Sequence, residues 1–193
     1  LLLVIEHRNF PVDGGPYTAS LYRAQLDPAN ASCDLQAEVC DFLVNPGLFD
    51  EVTCDPLFEL PTVLEGNTVS AGGPGTVLPF TIPLSPTASL DLILYNIQLK
   101  ATATIEDGLI TNMTGLLGGA VKKENLKSAI DALPADALPL PPSQVAPLID
   151  TLIQNDIDTD GDGVADAASI GITLTAIATN LVGLGDPPPP FTP

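Results

Sequence analysis

Residues 88–108, ASLDLILYNIQLKATATIEDG, commit the chain to a sheet. Ile93, Tyr95, Ile97, Leu99, Ala101, Ala103 and Ile105 share one parity, and Asn96, Gln98, Lys100, Thr102, Thr104 and Glu106 share the other. A period of two sends alternate side chains to opposite faces, so this run predicts a half-buried antiparallel strand. Glu106-Asp107-Gly108 is a hairpin turn, and LITNMTG (109–115) is expected to return beside the strand.

The rest of the chain repeats the theme with interruptions. LLLVIEH (1–7) and YTASLYRAQL (17–26) read as strands, the second with Tyr17, Ala19 and Leu21 in alternation. FELPTVLEG (58–66) and TVLPFTIPL (76–84) carry Pro61, Pro79 and Pro83, which predicts edge or irregular strands because proline donates no ladder bond. AGGPG (71–75) is a turn. In LLGGAVKKENLKSAIDAL (116–133) the period lengthens. Leu126, Ala129, Ile130 and Leu133 fall on one helical face, with Lys122, Lys123, Glu124 and Lys127 outside. PLIDTLIQN (147–155) predicts a second short helix with Pro147 in its first turn, and ASIGITLTAIATNLVG (168–183) returns to period two. With 20 prolines and 16 glycines supplying turns, the order predicts a mainly β chain, an antiparallel β-sandwich or jelly-roll-like fold. A two-helix insertion at about 120–155 precedes the last strand. One domain covers 1–186, with a helical insertion at 116–155 and an acidic loop at 156–166, and 187–193 form a stiff proline-rich tail.

Cys33, Cys40 and Cys54 lie within 22 residues without a CxxC pair, and the chain has one histidine, so zinc is a poor fit. A disulfide in an oxidising compartment fits better, either Cys33–Cys40 or Cys40–Cys54, with one thiol left over. The opening apolar run is five residues long, too short for a signal peptide or a membrane span, and no window reaches 18 apolar residues. A start without Met is expected of a processed product or a fragment. The net charge is −18, from 24 acids against 6 bases. That excludes the basic footprint nucleic acids require, opposes anionic membrane surfaces, and favours divalent cations.

The acids concentrate in NDIDTDGDGVAD (155–166), where five of twelve residues are aspartates and no Lys or Arg follows Lys127. Like charges a few Å apart repel by on the order of 1 kcal/mol even in water, so a cation is expected there. Calcium takes about six to eight oxygens. Counting from Asp158, ligand positions 1, 3 and 5 hold Asp158, Asp160 and Asp162. Gly163 then takes the turn, Val164 offers its carbonyl and Asp166 sits at position 9. Counting from Asp156, the acids are Asp156, Asp158 and Asp160, with Gly161 at the turn. In neither register does an acid reach position 12, where Ser169 or Ala167 stands. The stretch resembles the DxDxDGxxD loops of thrombospondin type 3 repeats and dockerins. The resemblance implies Asp158, Asp160, Asp162 and Asp166 as side-chain ligands of calcium. More loosely, IEDGLITNMTGLLGGAVKKENL with the loop and SIGITLTAIAT resembles uncharacterised secreted or lipoprotein-like bacterial envelope proteins, which implies a cell-envelope or exterior location. The helix start departs from that pattern, with Lys122 and Lys123 where a capping Thr or Ser is expected.

No catalytic constellation emerges. His7 stands alone in a strand, and GxSxG, HExxH and P-loop spacings are absent. Without Trp, a sugar-stacking platform has only three Tyr and six Phe to draw on. The expectation is a non-enzymatic extracellular or cell-surface protein stabilised by calcium, a structural or adhesive component of assemblies such as surface fibres. Its partners would be other protein subunits or copies of itself, joined by addition to edge strands. The alternative is a ligand- or carbohydrate-binding module of a larger secreted protein.

Overall fold

A computed structural model describes residues 3–35, 37–85, 88–134 and 137–185. The proline-rich tail 187–193 lies outside the described residues. The element order is β1 (Leu3–Arg8), β2 (Gly15–Leu26), β3 (Asp41–Val44), β4 (Glu59–Glu65), β5 (Thr68–Gly72), β6 (Val77–Ser85), β7 (Ala88–Glu106), β8 (Leu109–Val121), α1 (Lys123–Asp131), α2 (Pro142–Leu152), β9 (Ala168–Ile177) and β10 (Asn180–Leu184). The fold is mainly β with two short helices before the final strands, as the alternation predicted.

The main sheet runs β1-β2-β4-β5-β7-β8-β9, antiparallel throughout. β6 continues the line of β5 along the same edge of β7. A smaller sheet forms where the end of β2 pairs with β3 and β3 with β10, the last pair parallel. Two cores follow. The larger, with Leu64, Val69, Leu94, Ile97, Leu99 and Ala103, lies inside the main sheet. The smaller, around Tyr22, Phe42 and Val44, lies under the second sheet. Cys33 and Cys40 form the disulfide at its border, and Cys54 is exposed as a free thiol.

β7 is the organising strand, and its turn to β8 is as expected: Asp107 (φ 52°) and Gly108 (φ 79°) both take the left-handed conformation of a tight hairpin. Its inward parity, however, changes midway. Ile97, Leu99, Ala101 and Ala103 are buried, but before them the buried residues are Leu92 and Leu94, not Ile93 and Tyr95. The cause is a bulge. Asn96 takes φ 50°, the register to β8 shifts between Tyr95 and Gln98, and the strand resumes with the other parity inward. Opposite it, Gly73–Thr76 loop out between β5 and β6. The Gly73 N–H donates to the Ile97 carbonyl at 2.7 Å, and the Gly75 N–H donates to Asn96 Oδ1 at 2.8 Å.

Three further expectations change. FELPTVLEG is no edge strand: β4 pairs with β2 and β5, with Pro61 opposite Thr18. The β5 ladder begins only at Thr62↔Ala71, so the missing N–H falls where β4 has no second partner. LLGGAV (116–121) is strand, not the start of a helix, because β8 is paired as far as Val121↔Ala168. α1 begins at Lys123, burying Ala129 and Ile130 with Leu126 packed on the larger core. β10 is a strand beyond the single one expected after the helices.

Gly72 carries the kink. It has φ 87°, and a Cβ there would run into the Ile97 carbonyl, whereas Gly75 (φ 80°) opens into free space. Gly72→Ala is expected to lower stability by on the order of 3 kcal/mol, and Gly75→Ala by about 1 kcal/mol. Urea unfolding of both variants measures the difference; equal midpoints would show that the close approach at Ile97 does not govern stability.

Candidate metal centre

The acidic loop is built on a closed neck. Ile157 and Ala167 form an antiparallel bridge, with the Ile157 N–H donating to the Ala167 carbonyl and the reverse bond, both at 3.0 Å. Ala167 is completely buried. The neck lies between α2 and β9, so the loop stands on the junction of the helical segment and the sheet.

Within the loop the side chains of Asp158, Asp160 and Asp162 each fold back on the backbone that follows. Asp158 Oδ1 accepts from the Gly161 N–H at 2.7 Å, and its Oδ2 accepts from the Gly163 N–H at 2.8 Å. Asp162 Oδ1 accepts from the Val164 N–H at 2.8 Å. Gly161 and Gly163 both take positive φ, 82° and 88°, which lets alternate carboxylates turn to one side. Asp158, Asp160 and Asp162 each bring a carboxylate oxygen within 4.8 Å of the others. These are hard, anionic oxygens with lone pairs beyond those used by the backbone, the donor chemistry suited to calcium or magnesium.

The other sequence-derived ligands are placed differently. Asp166 faces Lys122, whose Nζ lies 2.7 Å from its Oδ2, and accepts from the Thr159 N–H and hydroxyl at 2.8 and 2.9 Å. Asp156 accepts from the Ser169 N–H and hydroxyl, both at 2.6 Å. Val164 is exposed at the loop tip. The loop thus divides into a central cluster of three acids and two flanking acids that fasten it to the fold. Lys122, Thr159 and Ser169 escaped the sequence reading. The one signal was Lys122 at the helix start: it occupies the N-cap of α1 without capping it and spends its side chain on Asp166, with its ammonium also 5.2 Å from the Tyr95 ring centroid. Lys127 binds Asp150 of α2 at 2.6 Å, joining the two helices.

The environment sets the charges. Asp166 is held far below the usual carboxylate range, first by its bond to Lys122 and then by Thr159. Asp158 is lowered by the Gly163 and Gly161 N–H groups, and Asp156 by the Ser169 hydroxyl and N–H. Lys122 is raised, chiefly by Asp166.

Comparison with protein-family models, with curated proteins and with solved structures finds no match.

Because these carboxyls are lowered on folding, their contribution is present above the ordinary unfolded range near pH ~4 and is lost as pH falls through the folded values. The raised Lys122 contributes below about pH 10.4 and loses that contribution only as pH rises through its folded value. The protection factors of the Gly161, Gly163 and Ser169 amides, each measured against the intrinsic exchange rate at the same pH, are expected to fall progressively below about pH 4, while the Ile97 and Leu99 amides of β7 stay protected. Loss of loop protection already at neutral pH would contradict these bonds.

Proposed function

We propose that the protein is a non-enzymatic structural component of extracellular or cell-envelope assemblies, with calcium in the 156–166 loop as a clamp. The observation that carries this is the Asp158–Asp160–Asp162 cluster on a bridged neck between α2 and β9. An ion there neutralises carboxylates that otherwise repel. It fixes the angle at which the helical segment leaves the sheet. The resemblance to thrombospondin type 3 and dockerin loops points to the same ion. A clamp suits the fold better than a sensor, because sensor loops move a pair of flanking helices and here a strand follows the loop. The Cys33–Cys40 disulfide is compatible with an oxidising exterior. Among the described residues no helix is long and apolar enough to cross a membrane.

The alternative, a binding module, has one observation in its favour: a cleft of about 770 Å³ lined by β1, the start of β8 and the end of β9.

The test is thermal unfolding in millimolar calcium and in excess chelator, with particle size followed alongside. Calcium at a hundred times its Kd adds about 2.7 kcal/mol, which for a chain of this size raises Tm by roughly 5–10 °C. The Asp160→Asn/Asp162→Asn double variant is expected to lose the increment. An unchanged Tm would remove the clamp, and calcium-independent particles would remove its link to assembly.

A further inference from the structure

The cleft lies between two strand edges, with the 35–42 segment and the start of β10 also contributing to its lining. Among the described residues, β1 pairs only with β2 and β9 only with β8. The direction of the free groups follows from the ladders. Leu21 donates its N–H to the Phe58 carbonyl and Arg23 accepts from the Asn45 N–H, both on the side of β2 away from β1. Their partners Ile5 and Leu3, and by alternation His7, therefore aim N–H and C=O away from β2. On the other wall, Ala178 donates to Thr111 beyond the last β8–β9 pair, so Thr173, Thr175 and Ile177 aim theirs away from β8. Leu3, Ile5, His7, Thr175 and Ile177 all line the one cavity.

Side-chain burial agrees. Ile170, Ile172 and Leu174 of β9 and Leu3 and Ile5 of β1 pack on the larger core, yet all remain half-buried, whereas the inward residues of β5 and of the second half of β7 are sealed. The cavity floor adds Phe10, Ile110 and Met113, and Leu109, 69% exposed, stands on its rim.

The geometry points to a missing strand: we infer that the seam between β1 and β9 takes an extended peptide of another protein, with alternating apolar residues and basic flanks, by strand addition on both walls. A small apolar molecule would fill the volume but leave both rows of backbone groups unpaired. Charge selects the partner. Glu38 lines the cleft together with Glu6, whose carboxylate is already paired with Arg8, no Lys or Arg among the described residues lines it, and the chain carries −18, so a second copy brings like charge whereas a basic segment is attracted. Leu3–His7 span about 17 Å, so about five residues of the peptide pair. This deepens the assembly reading by naming its surface and partner, and it does not depend on the calcium site.

The probe is a synthetic peptide of alternating valine and threonine with a lysine at each end, titrated into the full chain with calcium present and read by calorimetry and amide exchange. Saturable binding with new protection at Leu3, Ile5, His7, Thr175 and Ile177 is expected. A glutamate-ended peptide is expected to bind at least about tenfold more weakly at low salt. Thr175→Pro removes an outward N–H from an exposed edge position without breaking the β8 ladder, and is expected to weaken binding at least about tenfold. Leu109→Ser, on the exposed rim, is a second variant that leaves folding intact and is expected to weaken binding several-fold. Absence of binding, protection elsewhere, indifference to both variants, displacement by a fatty acid, or dimers protecting the same amides without peptide would each overturn the inference. Repeating the titration with chelator separates the two readings. Peptide binding with no calcium effect on Tm removes only the clamp, and calcium-dependent particles with no peptide binding remove only the seam.

Discussion

The structure depends on the pairing of β7. It is the longest strand, 19 residues, and it alone joins β8 on one edge to both β5 and β6 on the other. Its backbone groups are satisfied along nearly its whole length, and its inward side chains supply the centre of the larger core. The bulge at Asn96 lets one strand serve two directions. By turning the inward parity over, it allows Leu92 and Leu94 to face the same core as Ile97 and Leu99 after the strand has bent. The loop at Gly73–Thr76 is the other half of that bend, because a partner strand following a bent β7 must itself break.

Where the sequence was legible, a local rule and the tertiary fold agreed. The alternation of β7 and β9, the turn at Asp107-Gly108 and the apolar face of α1 are set by neighbours in sequence. What escaped was set by neighbours in space. A bulge shifts parity by one residue, and the side chains before Tyr95 carry no mark of it, since Ile93 is as apolar as Leu92 and Leu94 and the ring of Tyr95 suits a half-buried position equally well. Pro61 reads as an edge signal, yet it sits in an interior strand at the place where the second ladder has not begun. LLGGAV reads as a helix approach until β9 supplies ten registered partners for β8 and its continuation. The metal cluster was legible because alternate aspartates and glycines act within a few residues. The role of Asp166 was not, because Lys122 is distant in the chain.

That division explains how so acidic a loop can be built. Asp156 and Asp166 are already compensated, by Ser169 and by Lys122 with Thr159, and they fasten the loop to β9 and to the start of α1. Only the central three acids are left with backbone N–H partners alone. Charge repulsion is thus confined to the part of the loop nearest solvent, where a hydrated divalent ion has access. The neck is held by bonds that need no ion.

β9 links this loop to the open seam. Its first residues are fixed by the Ile157–Ala167 bridge and by Asp156 on Ser169. Its far end is fixed where Ala178 binds Thr111 and where Thr179 and Asn180 bind the Cys40 carbonyl beside the disulfide. Between those anchors one edge is paired to β8 and the other has no strand partner among the described residues. A strand with a bare edge is ordinarily an aggregation hazard that proteins shield with charge, proline or a short length. β9 has none of these over Ser169–Ile177: it is long, uncharged and free of proline. Pinning both ends keeps its polar groups in line, so that the edge is preorganised for one more strand. On the proposed reading, a cation in the loop would stiffen the first of those anchors, and the cost of ordering the edge would be met on folding, before a partner arrives.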